Sequence, residues 1–361
     1  MSSKRFADYL EVCNRFPAVA IWLLVCGALI FVMVLLGGVT RLTDSGLSMV
    51  DWHFAGGLPP ATEGEWKDAF EDYKEFPEYI QLRSSLTLDE FKRIYWFEYL
   101  HRTLGRVIGI IYAAPFLFFV ATKRVRGWLT VKLSLVLCLG VLQGLLGWFM
   151  VQSGLVDKPH VDHYRLMAHL GLAVILYGCV VWLTIDTLVS RKRLYWPSRG
   201  SLALVALIFI TILSGALVAG LDAGFAYNTF PLMNGQLVPN GLIELYPWYM
   251  NFTENIITVQ FEHRLLGMLL TVFVIGQWLV RCRRPWRYRV FHLLPVIVCI
   301  QMGLGIFTLL FFVPVQLAIA HQAGALVLLT IALVVAHATT RVNVFRSGKN
   351  IGKISSTVRS H

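Results

Sequence analysis

Charged side chains are scarce in this sequence. They make up 15% of the 361 residues, whereas 57% are hydrophobic, a balance far from that of soluble globular domains. A chain with so few polar groups cannot cover a water-exposed surface, so the composition excludes an ordinary soluble enzyme. Hydrophobic runs of about 20 residues, the length that crosses a bilayer, recur instead along the sequence.

Cysteine is also scarce, and its placement excludes two kinds of site. The six cysteines show no CxxC or zinc-binding spacing. None falls in a predicted outer loop, so we expect no disulfide. We interpret them as small, buried apolar residues. They are Cys13, Cys26, Cys138, Cys179, Cys282 and Cys299.

The first hydrophobic run lacks the features of a removable targeting segment. It follows a polar tail and has no convincing small-x-small cleavage site. The tail contains Asp8 and Glu11, whereas mitochondrial transit peptides are poor in acidic residues. We therefore predict a bacterial inner-membrane protein rather than a mitochondrial one.

The hydrophobic segments predict an all-α polytopic membrane protein with eight transmembrane helices. A very short turn around Pro314 joins the last two. The segments are 19–40, 94–120, 130–152, 164–188, 201–222, 256–280, 290–313 and 316–339.

The net charge of +11 is distributed by membrane side. Basic residues cluster in the tails and in alternate short loops, whereas the opposite loops are long and residues 61–92 are acidic. This positive-inside pattern predicts cytoplasmic N- and C-termini and sets topology; we expect no nucleic-acid partner. The loop clusters are Lys123, Arg124 and Arg126; Arg191, Lys192, Arg193 and Arg199; and Arg281, Arg283, Arg284, Arg287 and Arg289.

An internal duplication divides the chain into two similar halves. The segment 98–105 resembles 260–267, the segment 143–147 resembles 301–305, and Asp44-Ser-Gly46 resembles Asp222-Ala-Gly224. An even number of helices per half gives both repeats one orientation, related by an axis along the membrane normal. We predict two tandem four-helix bundles with pseudo-two-fold symmetry, at residues 1–190 and 191–361.

Four histidines lie at matching depths in the second, fourth, sixth and eighth segments. An imidazole inside a membrane needs a partner, which makes each a candidate functional residue. The symmetric pairs His101 with His169 and His263 with His321 predict two bis-histidine sites that hold the iron of a flat macrocycle. A glycine follows each histidine closely, and we expect it to let the ring approach the backbone. These glycines are Gly105, Gly171, Gly267 and Gly324.

The other six histidines lie in loops, tails or helix ends, and we assign none as a ligand. They are His53, His160, His163, His292, His337 and His361.

Several long motifs resemble those of haem A synthases. The segments 40–53 and 57–60 are similar to the first outer loop of that family, and 97–102, 222–233, 261–264 and 321–325 also match. The resemblance covers essentially all eight helices and is strongest to the alphaproteobacterial and mitochondrial class. The Bacillus-like class has a cysteine pair in the first outer loop, which this chain lacks.

The resemblance implies that haem O is the substrate and that its C8 methyl group is oxidised to a formyl group. Two successive hydroxylations would give a geminal diol, which loses water to leave haem A for cytochrome oxidase. The family implies one resident haem b and one exchangeable substrate haem. It also implies haem O synthase and oxidase assembly factors as partners within the lipid membrane, and an electron donor that the sequence does not identify.

Glu98 distinguishes the first half from the second. It precedes His101 by three positions, on the same helical face, whereas the second half has Gln260 there. A carboxylate near the ring could stabilise positive charge or handle protons during methyl oxidation, and the resemblance supports a catalytic role. We therefore place haem O between His101 and His169 and haem b between His263 and His321. The alternative is a structural carboxylate that pairs with Arg102 or Arg106.

Three arginines are candidate contacts for the haem propionates, because arginine pairs well with carboxylates. They are Arg41, Arg102 and Arg264. Snorkelling to the membrane surface is the alternative for each.

Two other functions fit the histidine pairs. One is a bis-histidine membrane electron-transfer cytochrome, although cytochromes that stack two haems between one helix pair place two ligands on a helix, which this chain does not. The other is a carrier of haem O or haem A in oxidase assembly.

Overall fold

The computed structural model describes residues 17–50, 57–155, 159–189, 197–281 and 289–339. Eight helices in these ranges are long and apolar enough to cross a membrane, which confirms an all-α polytopic membrane protein. In chain order the helices are α1 (Pro17–Leu42), α2 (Glu63–Lys74), α3 (Pro77–Leu82), α4 (Leu88–Ala121), α5 (Trp128–Leu155), α6 (His163–Leu188), α7 (Arg199–Gly220), α8 (Asn251–Glu254), α9 (Ile256–Arg281), α10 (Leu293–Leu310) and α11 (Val315–Ala338). The membrane candidates are all but α2, α3 and α8.

Helix α4 begins six residues before the expected start at residue 94. Thr87 and Glu90 form a capping box, in which each side chain bonds the main chain of the other. A capping box satisfies N–H groups that have no partner at a helix start. The first turns of α4 are polar, so hydrophobic runs could not reveal them. The short turn predicted between the last two helices is confirmed, because α10 ends at Leu310 and α11 begins at Val315.

The helix contacts agree with two tandem bundles. In the first half α1 packs against α4 and α6, and α5 packs against α6. In the second half α7 packs against α9 and α11, and α10 packs against α11. The halves meet where α1 contacts α11 and where α6 contacts α7 and α11. The expected boundary at 190/191 lies outside the described residues, as do most of the basic loop residues and both termini.

A cluster of buried side chains fills the space between these helices. Leu23, Val180, Ile208 and Leu328 are almost fully buried there. Apolar side chains also cover the outside of the bundle: Ile110 is 66% exposed and Val272 is 70% exposed. In a membrane helix such outward side chains face lipid rather than water.

The sequence predicted a loop at the acidic residues 61–92, but this segment also contains helices. It contains α2 and α3, which pack on the start of α4 around the buried rings of Trp66, Phe70, Tyr73 and Phe91. Aromatic clusters of this kind stabilise a small unit through burial and edge-to-face contacts. This small unit covers the end of the first half at which α4 begins, and we call it the outer cap because the predicted topology places it outside.

The cysteine prediction is partly wrong. Cys26 is buried and Cys179 partly buried, but Cys138 and Cys299 are exposed on the outside of the bundle. A thiol behaves as a small hydrophobe, so a lipid-facing position costs it little. All four are free. Cys13 and Cys282 lie outside the described residues.

A polar cluster joins three helices near the ends of α6 and α11 and the start of α5. Asp186 of α6 accepts a hydrogen bond from Nε2 of His337, 2.9 Å away on α11, and pairs with Nζ of Lys132 at 3.0 Å. His337 is 1% exposed. It lies outside the two histidine pairs, as the sequence predicted.

Candidate functional site

Each of the four histidines lies against a glycine of a neighbouring helix. A methyl group placed on any of these glycines would lie closer to the imidazole carbon Cε1 than ordinary van der Waals contact allows. The distances from that position to Cε1 are 3.0 Å for Gly37 and His101, 2.8 Å for Gly147 and His169, 3.0 Å for Gly215 and His263, and 2.7 Å for Gly305 and His321. The four rings are thus seated directly on neighbouring backbones, and any larger residue would displace them.

The glycines that follow the histidines in sequence do not contact the imidazole rings, and their expected role beside a macrocycle stays a prediction. Gly105 faces Met33, Gly171 faces Leu213, Gly267 faces Met302, and Gly324 faces Gln301. They allow close helix packing. The glycines at the imidazole rings come instead from the membrane helix that precedes each histidine helix in the chain. Helical periodicity reports one helix at a time, so it could not identify a glycine supplied by another.

The second histidine pair has a spacing suited to a metal between its rings. The ring centroids of His263 and His321 are 6.3 Å apart and the ring planes are 85° apart. Two metal–nitrogen bonds of about 2 Å, with about 1 Å from each nitrogen to its ring centre, give about 6 Å. The residues present therefore fit a bis-histidine iron site.

The Nδ1 atoms of this pair already have partners. Ser214 Oγ lies 2.7 Å from Nδ1 of His263, and Nδ1 of His321 has the side-chain Nε2 of Gln301 at 3.1 Å and its main-chain oxygen at 3.2 Å. Nε2 is therefore the nitrogen left on each ring to bind a metal.

The first histidine pair is supported differently. Gln143 Nε2 lies 3.2 Å from Nδ1 and 3.3 Å from Nε2 of His169. Nδ1 of His101 is buried and has no hydrogen-bond partner among the described residues. The two halves thus share the glycine seats and the glutamine amide beside His169 and His321, but differ at His101 and His263.

A repeated Gln-x-x-x-Gly motif explains part of the internal duplication. The amide of Gln143 donates to the main-chain oxygen of His169 at 3.1 Å, and that of Gln301 donates to the oxygen of His321 at 2.9 Å. Gly147 and Gly305 lie four residues further on, so glutamine and glycine share one helix face. The repeat is visible in the sequence, but its role was not predicted. The four-residue spacing of glutamine and glycine was the signal that could have indicated one shared helix face.

Glu98 is buried and its carboxylate is fully engaged. Oε2 accepts hydrogen bonds from Ser48 Oγ at 2.7 Å and from the Met49 main-chain N–H at 2.8 Å, while Oε1 pairs with Arg102. Arg102 also donates to the Met49 carbonyl oxygen at 3.1 Å. In this structure the carboxylate anchors the turn that follows α1, which matches the structural alternative derived from the sequence.

The second half repeats this anchor without a carboxylate. Gln260 is buried; its amide donates to the Tyr227 carbonyl oxygen at 3.1 Å, and its Oε1 accepts from Arg264 at 3.3 Å. Arg264 donates to the carbonyl oxygens of Tyr227 at 2.6 Å and Thr229 at 2.7 Å. The loop after α7 is thereby fixed to α9.

Arg41 joins the two halves at the end of α1. Its guanidinium bonds Asp44 at 2.8 Å and Asp222 at 2.9 Å. The three arginines expected near the propionates thus all have partners: Arg41 binds two aspartates, and Arg102 and Arg264 bind outer-loop groups. A propionate at any of them would share or replace these bonds.

Comparisons with known proteins agree on one family. A family model described as "Cytochrome oxidase assembly protein" matches residues 20–333. A protein of Nitrosospira multiformis named "Heme A synthase" is 50% identical over 333 residues, which cover 90% of this chain and 94% of that protein. Proteins of the same name from Nitrosomonas eutropha and Parvibaculum lavamentivorans are 47% and 44% identical, over 89% and 88% of this chain and 93% and 92% of their own lengths.

Proposed function

The chain belongs to the haem A synthase family of cytochrome oxidase assembly proteins, and we propose that it oxidises the C8 methyl group of haem O to the formyl group of haem A. The reaction makes it an oxidoreductase that acts on a CH3 group. One observation carries the proposal for the site: two histidine pairs are seated on glycines of neighbouring helices. The rings of the second pair also have the separation expected for one iron between them.

In this proposal the second half, residues 191–361, holds the resident haem b through His263 and His321. When bound, a haem supplies a redox-active iron whose potential depends on its axial ligands. The chain's own contribution is to orient the two rings. Gly215 and Gly305 fix their approach, and the contacts at Nδ1 would leave Nε2 of each ring to hold the metal.

The first half, residues 1–190, receives haem O between His101 and His169. Its rings lack the complete set of Nδ1 acceptors found in the second half. Such a site suits a substrate that must enter, react and leave. The farnesyl tail of haem O is apolar, and the lipid-facing surface of the bundle provides the apolar surroundings that it needs.

Glu98 remains our candidate for the group that makes the first half reactive. It lies three positions from His101 and carries the negative charge that Gln260 lacks. The contacts with Ser48, Met49 and Arg102 support a role in which the carboxylate fixes the outer turn and the arginine near the first pair. In this proposal the carboxylate would also hold negative charge near the methyl group that is oxidised.

We place the protein in a bacterial inner membrane with both termini in the cytoplasm, as the charge distribution indicates. Haem O synthase and oxidase assembly factors are the partners expected from the reaction, because they supply the substrate and receive the product. Arg41, Arg102 and Arg264 stay candidate propionate contacts that exchange a present partner for the carboxylate.

Haem extraction from membranes tests this function. A strain without the gene is expected to contain haem O and no haem A, and the wild-type gene should restore haem A. An electron-transfer cytochrome or a carrier of finished haem would leave haem A formation intact in the deletion strain. Haem A in that strain would therefore contradict the proposal.

A further inference from the structure

Equivalent positions beside the two repeated histidines carry different residues. Gly37 and Gly215 occupy the same place in the repeat, each against the following histidine ring. The residue before Gly215 is Ser214, and the residue before Gly37 is Leu36. A hydroxyl is therefore present beside His263 where the first half has only a hydrocarbon beside His101.

The hydroxyl of Ser214 is oriented by a second hydrogen bond. Ser214 Oγ donates to the main-chain oxygen of Thr211 at 3.0 Å, one turn earlier in α7. Because its single proton is used there, Oγ accepts from Nδ1–H of His263 at 2.7 Å. These two hydrogen bonds fix the His263 tautomer, with the proton on Nδ1 and the lone pair on Nε2.

His321 has two contacts of opposite kind at Nδ1. The main-chain oxygen of Gln301, which can only accept, lies 3.2 Å from that atom, and the side-chain Nε2 of Gln301, which can only donate, lies 3.1 Å from it. His263 is thus the ring of the second half whose contacts prepare it as an Nε2 ligand before any metal binds.

Neither ring of the first half has such an acceptor among the described residues. Nδ1 of His101 is buried without a partner. Near His169, Gln143 presents Nε2, and this orientation is fixed because the same nitrogen donates to the His169 carbonyl oxygen at 3.1 Å. No described group of the first half therefore accepts a hydrogen bond from Nδ1–H of either ring and increases its basicity in that way.

We propose that Ser214 is a positioning residue that makes His263 a permanent haem ligand, and that Leu36 at the equivalent position keeps His101 a releasable one. The proposal rests on the assignment of the resident haem to the second half. Hydrogen bonding at Nδ1–H makes the imidazole a stronger donor to iron, and loss of such a bond typically weakens metal binding by about 10- to 100-fold. A stronger donor favours the oxidised iron, so Ser214 also lowers the reduction potential.

The test uses the purified full-length protein with its bound haem b. For Ser214→Ala we expect haem b to transfer to an acceptor protein, apomyoglobin, at least about tenfold faster than in the wild type. We also expect a higher midpoint potential. A tenfold selective loss of ferric binding corresponds to about 59 mV for one electron. Ser214→Thr, which keeps the hydroxyl, should restore both values.

The matched control is Thr271→Val on α9. Thr271 Oγ1 donates to the Gly267 carbonyl oxygen at 2.9 Å, a helical bond like that of Ser214 but without an imidazole. This variant should keep the wild-type transfer rate and potential. Equal changes in Thr271→Val and Ser214→Ala would mean that loss of any helix hydroxyl suffices, which would overturn the role of Ser214.

The reverse change tests the other half of the proposal. Leu36→Ser places a hydroxyl beside His101, with the Met33 carbonyl one turn earlier to orient it. We expect more haem O to copurify with this variant and to leave it more slowly. Unchanged haem O retention would contradict the part of the proposal that concerns Leu36.

His263→Ala, measured in parallel, separates this inference from the function on which it rests. If His263→Ala loses haem b but Ser214→Ala behaves as the wild type, the role of Ser214 is wrong and the site assignment stands. If His263→Ala keeps haem b with an unchanged spectrum, the assignment fails, and the inference fails with it.

Discussion

Gly305 and His321 are in such close contact that a methyl group on the glycine would lie 2.7 Å from Cε1 of the imidazole. Real side chains do not approach so closely, so Gly305→Ala must move the ring or its helix. Displacing a packed group costs about 1–3 kcal/mol. The same helix carries Gly303, at which a methyl group would meet nothing within 4 Å, and this offers a direct comparison.

We predict that Gly305→Ala lowers the affinity for haem b about tenfold, the equivalent of about 1.4 kcal/mol. Haem content and the low-spin absorption spectrum of the purified protein measure this. Gly303→Ala should keep the wild-type spectrum and gain slightly in stability, since alanine is the better helix former. Similar haem loss in both variants would contradict a specific seat for His321.

Gly147→Ala is predicted to act on haem A formation instead. A methyl group there would lie 2.8 Å from Cε1 of His169. The substrate pair should be disturbed while haem b stays near its normal content. Gly144→Ala, again with nothing within 4 Å, is the control. Haem extracts of membranes give the ratio of haem A to haem O, and an unchanged ratio in Gly147→Ala would refute the prediction.

Replacing single histidines should separate the two halves. His263→Ala or His321→Ala is expected to lose haem b and its low-spin spectrum and to destabilise the second bundle. His101→Ala or His169→Ala is expected to abolish haem A formation while some haem b stays bound. Haem b content in each purified variant decides the matter; equal loss in all four would show that the halves are not specialised.

Glu98→Gln is predicted to lower haem A production at least about tenfold, or about 1.4 kcal/mol of barrier. The structure adds a second cost. A serine hydroxyl, a main-chain N–H and a guanidinium all donate to this carboxylate. The NH2 group of a glutamine amide would therefore face hydrogen-bond donors instead of acceptors. Removal of one member of a buried ion pair costs about 3–5 kcal/mol, so the thermal stability of the first half should also fall.

The readouts for Glu98 are the haems extracted from membranes and the unfolding temperature. Haem O or a singly hydroxylated product should accumulate, with haem b near normal. Glu98→Asp, which keeps the charge, should retain more haem A formation than Glu98→Gln. Full haem A output from Glu98→Gln would leave Glu98 with the structural role alone.

The outer cap should lose stability as the pH rises from about 4.5 to about 7. Burial raises the pKa of Glu78 to about 7, although Arg83 and the hydrogen bond from Tyr73 oppose the shift. The folded cap therefore binds a proton that the unfolded chain releases at lower pH, and the contribution is complete below the ordinary pKa and lost above the raised one. A difference of this size corresponds to about 3 kcal/mol.

Limited proteolysis of the segment 57–87 at pH 5.5 and pH 8 measures this dependence. Cleavage of the wild type should be faster at pH 8. Glu78→Gln removes the titrating group and should make cleavage nearly independent of pH. Glu71→Gln changes an exposed carboxylate paired with Lys74 and should keep the wild-type dependence. A persistent pH effect in Glu78→Gln would show that another group is responsible.

The eight membrane helices were predictable because apolar length alone identifies them, and the four histidines because polar side chains are rare within such segments. The helices of the outer cap were not, since Trp66 and Phe70 are dispersed among charged residues and form a core only when α2 folds onto α4. Hydropathy averages hide such a pattern.

Contacts between distant segments were also beyond the sequence. Nothing local to Glu98 indicates that its carboxylate meets Ser48 and Met49, about 50 residues earlier in the chain. The same holds for Gly305, whose role depends on which helix faces α10. The repeat showed that the positions are equivalent, but the contacts depend on packing.

Arg41 is a single residue that pairs with two aspartates, Asp44 in one half of the duplicated fold and Asp222 in the other. The two aspartates are equivalent in the repeat, and both adopt left-handed backbone conformations, with φ of 47° and 52°. The position equivalent to Arg41 is Ala219. A homodimer of identical halves would bring two guanidinium groups to this point or none. A single cation shared by two matching anions requires that the two halves differ in sequence. Their fusion in one polypeptide permits such divergence, which separate tasks for the two bundles demand.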